Sequence, residues 1–212
     1  MTSRLKSLYQ KETVPFLQKE LNTVSPSNSG LQPSLAGYIL ANSLPPKAGS
    51  SKQSINSLAL PHLSKVVVAM GVGKALLDKS ELQKAEADLA LISGQKPKVT
   101  KAKKAVSSFK LQAGQEIGLM ATLRGERMYQ FLDKVFNVVF PRTRDFRGLS
   151  KQGFDGSGNF SLGFADQTVF AEINPGKVDK LRGLQITIVT TTLDNEQAYL
   201  LLKALGCPFK KE

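Results

Sequence analysis

Leu184 to Thr192, LQITIVTTT, constrains the fold of this chain most. Every residue after Gln185 is β-branched, stiff at χ1 and suited to a pleated strand. Ser64 to Val72 reads as a second strand, buried, running into Gly71 and Gly73. Glu116 to Arg124 alternates as a third. Ile117, Leu119, Ala121 and Leu123 share its apolar back; Gly118, Met120, Thr122 and Arg124 share its mixed front. Helical spacing fills the gaps between strands. Residues 4–22 carry Leu5, Leu8, Phe16, Leu17 and Leu21, with Pro15 expected to kink or interrupt them. Asp78 and Glu81 have capping-box spacing ahead of Leu82, Ala85, Leu89 and Ile92, and Ser93-Gly94 is the stop. Gly125 to Phe140 turns Met128, Phe131, Leu132, Val135 and Val139 inward, and Pro141 is expected to end it. Asp194 and Gln197 form a second capping box before a helix at Tyr199 to Leu205, closed by Gly206. The elements lack an even βαβ rhythm. The reading is an α+β fold, a mostly antiparallel sheet with helices packed on one face, in a single domain over 1–212. Residues 23–56, rich in Ser, Pro, Gly and Asn, read as a long loop or insertion with a small apolar patch at Leu35, Tyr38, Ile39 and Leu40.

The charge is uneven. Of the net +12, +9 lies between Lys96 and Lys151, where thirteen basic residues face four acidic ones. Gln95 to Lys110, QKPKVTKAKKAVSSFK, holds six lysines and no acid. No regular helical face interrupts it, so it reads as a solvated loop that meets a polyanion. In PRTRDFRG, Arg142, Arg144 and Arg147 surround Phe146. Arginine pairs bidentately with phosphate, and an exposed aromatic offers a stacking face. Core packing is the competing reading of Phe146, and ion pairs with Glu126, Asp145 and Asp155 that of the arginines. Thr122 and Arg124 on a mixed strand front suit the shallow minor groove of RNA.

Catalytic signals are weak. Gly71-Val72-Gly73-Lys74-Ala75 fails as a phosphate loop, because Val68 stands at the first glycine position and Ala75 at the magnesium-binding hydroxyl. Asp155 to Asn159 lacks calcium-loop spacing and reads as a turn. One cysteine, Cys207, leaves no internal disulfide and no zinc cluster. The lone His62 reads as a boundary residue. No apolar run is long enough to span a membrane. The expectation is a non-enzyme without a cofactor. The alternatives are a free-standing RNA-binding or RNA-chaperone module and, more remotely, a nucleotide-dependent enzyme built on GVGK.

Five blocks, in order, carry a family resemblance: MGVGKA (70–75), ADLALISGQKPKVTKAKKAVSSFK (87–110), TLRGERMYQF (122–131), PRTRDFRGLSKQGFDGSGNFSLGF (141–164) and KVDKLRGLQITIVTTT (177–192). The chain resembles the bacterial-type large-subunit ribosomal protein that binds 5S rRNA, the fifth in its series. The resemblance covers roughly 65–209, and the N-terminal helix also fits. It implies a five-stranded antiparallel sheet whose open face and nearby loops bind 5S rRNA in the central protuberance. It implies large-subunit rRNA and neighbouring ribosomal proteins as partners, and a loop reaching the P-site tRNA and a small-subunit head protein. It implies no enzymatic activity.

Carried onto this sequence, the 5S rRNA candidates are Met70, Gly71, Gln95, Thr122 and Arg124, beside Arg142, Arg144 and Arg147 from the residue reading. The tRNA-proximal loop is Ala102 to Gln112, with Lys103, Lys104, Ser107, Ser108, Phe109 and Lys110 near its tip. Two departures stand out. Ala69 occupies the position where the family usually has Asn, so an amide contact is missing or supplied by a neighbour. The insertion at 24–55 is extra, and with no presequence at the N-terminus it suggests an organelle-encoded, plastid ribosome, with a bacterial cytoplasm as the alternative.

Overall fold

The structure is a computed structural model that describes residues 3–23, 60–73, 79–144 and 146–210. The insertion at 24–55, Lys74, Ala75, Asp78 and Asp145 lie outside them.

Five strands form one antiparallel sheet: β1 Leu63–Gly71, β2 Lys98–Lys101, β3 Glu116–Leu123, β4 Phe160–Phe164 and β5 Leu184–Thr190, in the order β2-β3-β1-β5-β4. The period of two puts every second side chain on one face. Val66, Val68 and Met70 of β1, Leu119, Ala121 and Leu123 of β3, and Leu184, Ile186 and Ile188 of β5 are buried together with Phe160, Leu162 and Phe164 of β4. Each of these side chains except Ala121 contributes roughly 1.5–3 kcal/mol by leaving water. That asymmetry fixes the register, since a one-residue slip would expose the whole set.

The helices are α1 Arg4–Leu8, α2 Val14–Thr23, α3 Lys79–Ser93, α4 Gly125–Lys134, α5 Phe140–Arg142 and α6 Asn195–Ala204. Helix α3 packs on β3 and β1, and α4 packs on β1. The apolar positions read from the sequence, Leu82, Ala85, Leu89 and Ile92 in α3 and Met128, Phe131 and Leu132 in α4, are all buried.

One proline departs from expectation, while at Pro15 the regular α-helix is interrupted by a π turn as expected. Pro141 does not end its helix, which runs on to Arg142 before Thr143 turns extended at ψ 126°. Pro15 sits inside α2. Each follows a five-residue π turn by two positions, Tyr9–Thr13 before Pro15 and Val135–Val139 before Pro141. Proline offers no N–H, and its ring clashes with the carbonyl four residues back. A π turn widens the backbone at that point, so the helix passes through.

The Asp78–Glu81 capping box falls on Asp78, outside the described residues; one capping expectation within them changes. Glu81 is buried, and its oxygens accept from Arg182 Nη2 at 2.9 Å and Lys180 Nζ at 2.8 Å. Asp194 does cap α6, accepting from the Glu196 N–H at 3.0 Å, but Gln197 accepts from Thr192 Oγ1 instead of reaching back. Arg182 also donates to Asp88 at 3.1 Å, tying the segment before β5 to α3.

β2 lies inside the stretch read as a solvated loop. Lys98 pairs with Met120 and Thr100 with Gly118. An edge strand needs one neighbour and buries little, so only Val99 turns to the core and the lysines hide the alternation.

Candidate nucleic-acid interface

The sheet face opposite the core carries small and polar groups. Register aligns them in rows. One row runs Thr122, Val67, Thr187 and Ser161; the next runs Lys98, Met120, Ala69, Gln185 and Gly163; a third holds Thr100, Gly118 and Gly71. Ser161 and Thr187 share a hydroxyl–hydroxyl hydrogen bond at 3.1 Å. Gly118 is required internally, because a Cβ there would stand 2.9 Å from Thr100 Oγ1. Gly71 and Gly163 are not: nothing lies within 4 Å of a Cβ built on either. Their bareness leaves backbone open to an approaching partner.

Gln95, Thr122 and Arg124 come together at one corner. Gly94 at φ +69° turns the chain out of α3, and the Gln95 amide then donates to the Thr122 carbonyl at 3.0 Å. Arg124 stands exposed two residues on, extended at φ −138° where β3 hands over to α4. Gln95 and Thr122 are thus joined two residues before an exposed guanidinium. Glu116, at the far end of β3, lies 3.6 Å from Lys101, which offsets its charge.

Met70 is not part of this surface. Its side chain is 1% exposed and lies in the core, one step out of phase with Ala69 and Gly71. The period of two in β1 allows only one of two adjacent residues to face out.

Arg142, Arg144 and Arg147 are exposed, and among the described residues none has a carboxylate partner. Glu126 instead pairs with Lys6, and Asp155 accepts from the Asn159 side-chain amide and from the backbone N–H groups of Ser157 and Asn159 in its own turn, which holds its carboxyl below the ordinary value. The arginines are not beside Arg124. They lie at the other end of the helical stretch 125–142, roughly 25 Å away at 1.5 Å per residue. Phe146 gives no stacking platform: it stacks on the buried Phe140 at 4.8 Å and packs against the core.

The loop from Ala102 has internal structure. Ala102 exchanges hydrogen bonds with Gln115 and Gly114, and Val106 with Leu111, so two rungs close a hairpin. A 3-10 turn at Ser107–Phe109 caps it, with Lys110 at φ +50°. Lys103, Lys104, Ser107, Ser108 and Lys110 are exposed, and Phe109 is 73% exposed at the tip. This is a shaped projection within the stretch that the sequence reading gives as a solvated loop.

Gln185, Thr187, Ser161 and Gly163, which share the open face, were not among the sequence candidates. The signal was present in LQITIVTTT, where Gln185 and Thr187 alternate against Leu184, Ile186 and Ile188. Among the described residues no group of three His, Cys, Asp or Glu could hold a metal ion, and no helix is long and apolar enough to cross a membrane.

A family model described as "Ribosomal protein L5" matches residues 56–112, and one described as "ribosomal L5P family C-terminus" matches 116–209. The chain is similar to the large ribosomal subunit protein uL5 of Chloroflexus aurantiacus, 46% identical over 210 residues and 99% of each chain. It is similar to that of Lactococcus lactis, 44% identical over 211 residues and 100% of each. Syntrophomonas wolfei has another, 50% identical over 165 residues, 78% of this chain and 93% of its own. These relatives are bacterial and give the plastid expectation no support.

Proposed function

This chain belongs to the ribosomal protein L5 family and is a structural protein of the large ribosomal subunit, not an enzyme; from that premise we propose that it binds 5S rRNA with its open sheet face. The observation that carries the reading is the corner where Gln95 is held to Thr122 beside Arg124. A 2′-hydroxyl both donates and accepts, and a face of small polar residues lets the shallow RNA groove approach closely. Arg124 adds charge at the edge of that contact. In this reading the protein sits in the central protuberance among neighbouring ribosomal proteins. The hairpin at 102–115 projects toward the P-site tRNA and the small-subunit head. The arginine loop forms a separate rRNA contact.

The test is binding of the purified chain to 5S rRNA across a salt series. Each neutralised phosphate steepens the salt dependence. Thr122→Ala and Arg124→Ala are expected to weaken binding far more than Lys103→Ala. Equal losses at all three, or no preference for 5S rRNA over an unrelated RNA of equal length, would overturn the assignment.

A further inference from the structure

The central strand β1 changes phase near its start. In a regular strand Leu63 and Lys65 would share a face. Here the register with β5 slips between them: Leu63 pairs with Thr190 and Lys65 with Val189, and Ser64 is left over. Such a bulge inserts one residue and re-aims the side chains beside it. Leu63 turns into the core at 5% exposed. Lys65 falls instead into the alternation of Val67, Ala69 and Gly71 on the open face. Without the bulge, burying Leu63 would aim an ammonium group at the core, where an unpaired charge is costly.

Lys65 and Arg124 each stand one residue beyond the rung Val66–Leu123. Arg124 is exposed, with its backbone extended at φ −138° and ψ 163°. Like charges at neighbouring ends of paired strands repel, so the fold gains nothing from bringing them together. Further along the same half of the sheet, Lys98 is exposed and pairs with Met120. Met120 and Arg124 are about 14 Å apart along β3 at roughly 3.4 Å per residue. The other half of the open face is uncharged: β5 presents Gln185, Thr187 and Val189, and β4 presents Ser161 and Gly163. The face is therefore polarised across the strands, with its cations confined to β2, β3 and β1.

We propose that the sugar–phosphate backbone of the bound RNA runs lengthwise along β3 and β1, from Lys98 to Lys65 and Arg124, with Lys65 and Lys98 as phosphate contacts. The groove edge of the same RNA then lies over the uncharged β5–β4 half. Phosphates carry the charge of a nucleic acid and are met by cations, whereas 2′-hydroxyls and base edges are met by amides and hydroxyls. A face divided in this way fixes which side of the RNA goes where. The inference rests on the sheet-face reading above and adds an orientation to it.

The test uses the full chain and 5S rRNA carrying sparse ethylated phosphates, with the blocking positions mapped after bound and free RNA are separated. The expected result is one short run of blocking phosphates on one strand. Lys65→Gln should relieve blocking at one end of that run and Lys98→Gln at the other. Each substitution should also lower the salt slope of binding by about 1. Lys65→Arg should keep both the blocking pattern and the slope, which separates lost charge from a disturbed bulge. Lys98→Gln, on the edge strand, carries the same test independently of that bulge. An unchanged slope in both glutamine variants, relief of the same phosphate by both, or relief of phosphates on different strands overturns the lengthwise track while 5S rRNA binding stands. A wild-type chain that binds 5S rRNA no better than an unrelated RNA of equal length overturns the sheet-face reading itself.

Discussion

The Gln95 side-chain amide donates to the Thr122 carbonyl across 3.0 Å, joining the turn after α3 to the last residues of β3. The bond uses the amide N–H and leaves its oxygen to accept from outside. Gln95→Ala should cost about 1 kcal/mol of stability. It should weaken 5S rRNA binding by roughly tenfold, about 1.4 kcal/mol. Gln95→Glu, which turns a carboxylate toward a carbonyl, should be worse. Denaturant melts paired with RNA titration check both, and a stability loss with unchanged affinity would reduce Gln95 to a structural tie.

Ala69 stands opposite Gln185 in the β1–β5 register, both on the open face. The family resemblance expected an amide at 69, and the exposed amide in that row is at 185. Gln185→Ala should therefore lower 5S rRNA affinity by roughly five- to tenfold. Ala69→Asn in the same chain should restore most of it. A binding titration of the two variants and their combination decides this, and independent effects would separate the two positions.

Arg182 is 7% exposed and bridges Glu81 and Asp88. Arg182→Met removes a cation and leaves two carboxylates facing each other. Tm should fall on the order of 5–10 °C. The pH response follows from opposite shifts. Hydrogen bonds from Lys180 and Arg182 pull Glu81 from 4.5 to about 2, so its contribution is full above 4.5 and lost as pH falls toward 2. Asp88 is raised by burial, so its protonation favours the fold in acid and offsets part of that loss. Melting of wild type and Arg182→Met from pH 7 down to 2 should show the gap between them narrowing in acid.

Phe109 belongs to the hairpin tip and is 73% exposed there. Phe109→Ala and Lys104→Ala should leave stability within about 0.5 kcal/mol, as exposed substitutions do, and 5S rRNA affinity within about twofold. They should reduce protection or crosslinking of P-site tRNA in assembled ribosomes. A large loss of 5S rRNA affinity would place the hairpin in the primary interface instead.

Strands β1, β3 and β5 and the buried face of each helix were legible in the sequence because burial leaves a period in it. β2 was not, since an edge strand of lysines keeps its pairing in the backbone. Pro141 misled because the π turn that accommodates it has no residue signature. Thr122, Arg124 and Gln95 were found singly. The hydrogen bond that groups two of them, and the distance separating them from the arginine loop, exist only in three dimensions. Met70 was misplaced by one residue of strand phase. The Leu149–Phe209 bridge joins segments sixty residues apart and could not have been read from either.

Gly71 and Gly163 give the open face its bare backbone, with nothing inside the protein to object to a larger residue. A mutational scan of the isolated chain, read by melting temperature, would score both as permissive. The same scan read by growth or subunit assembly would score them as intolerant, because the missing atoms belong to the space of another molecule. The two maps should part most sharply at these glycines, and the outline of their disagreement would trace the footprint of the partner.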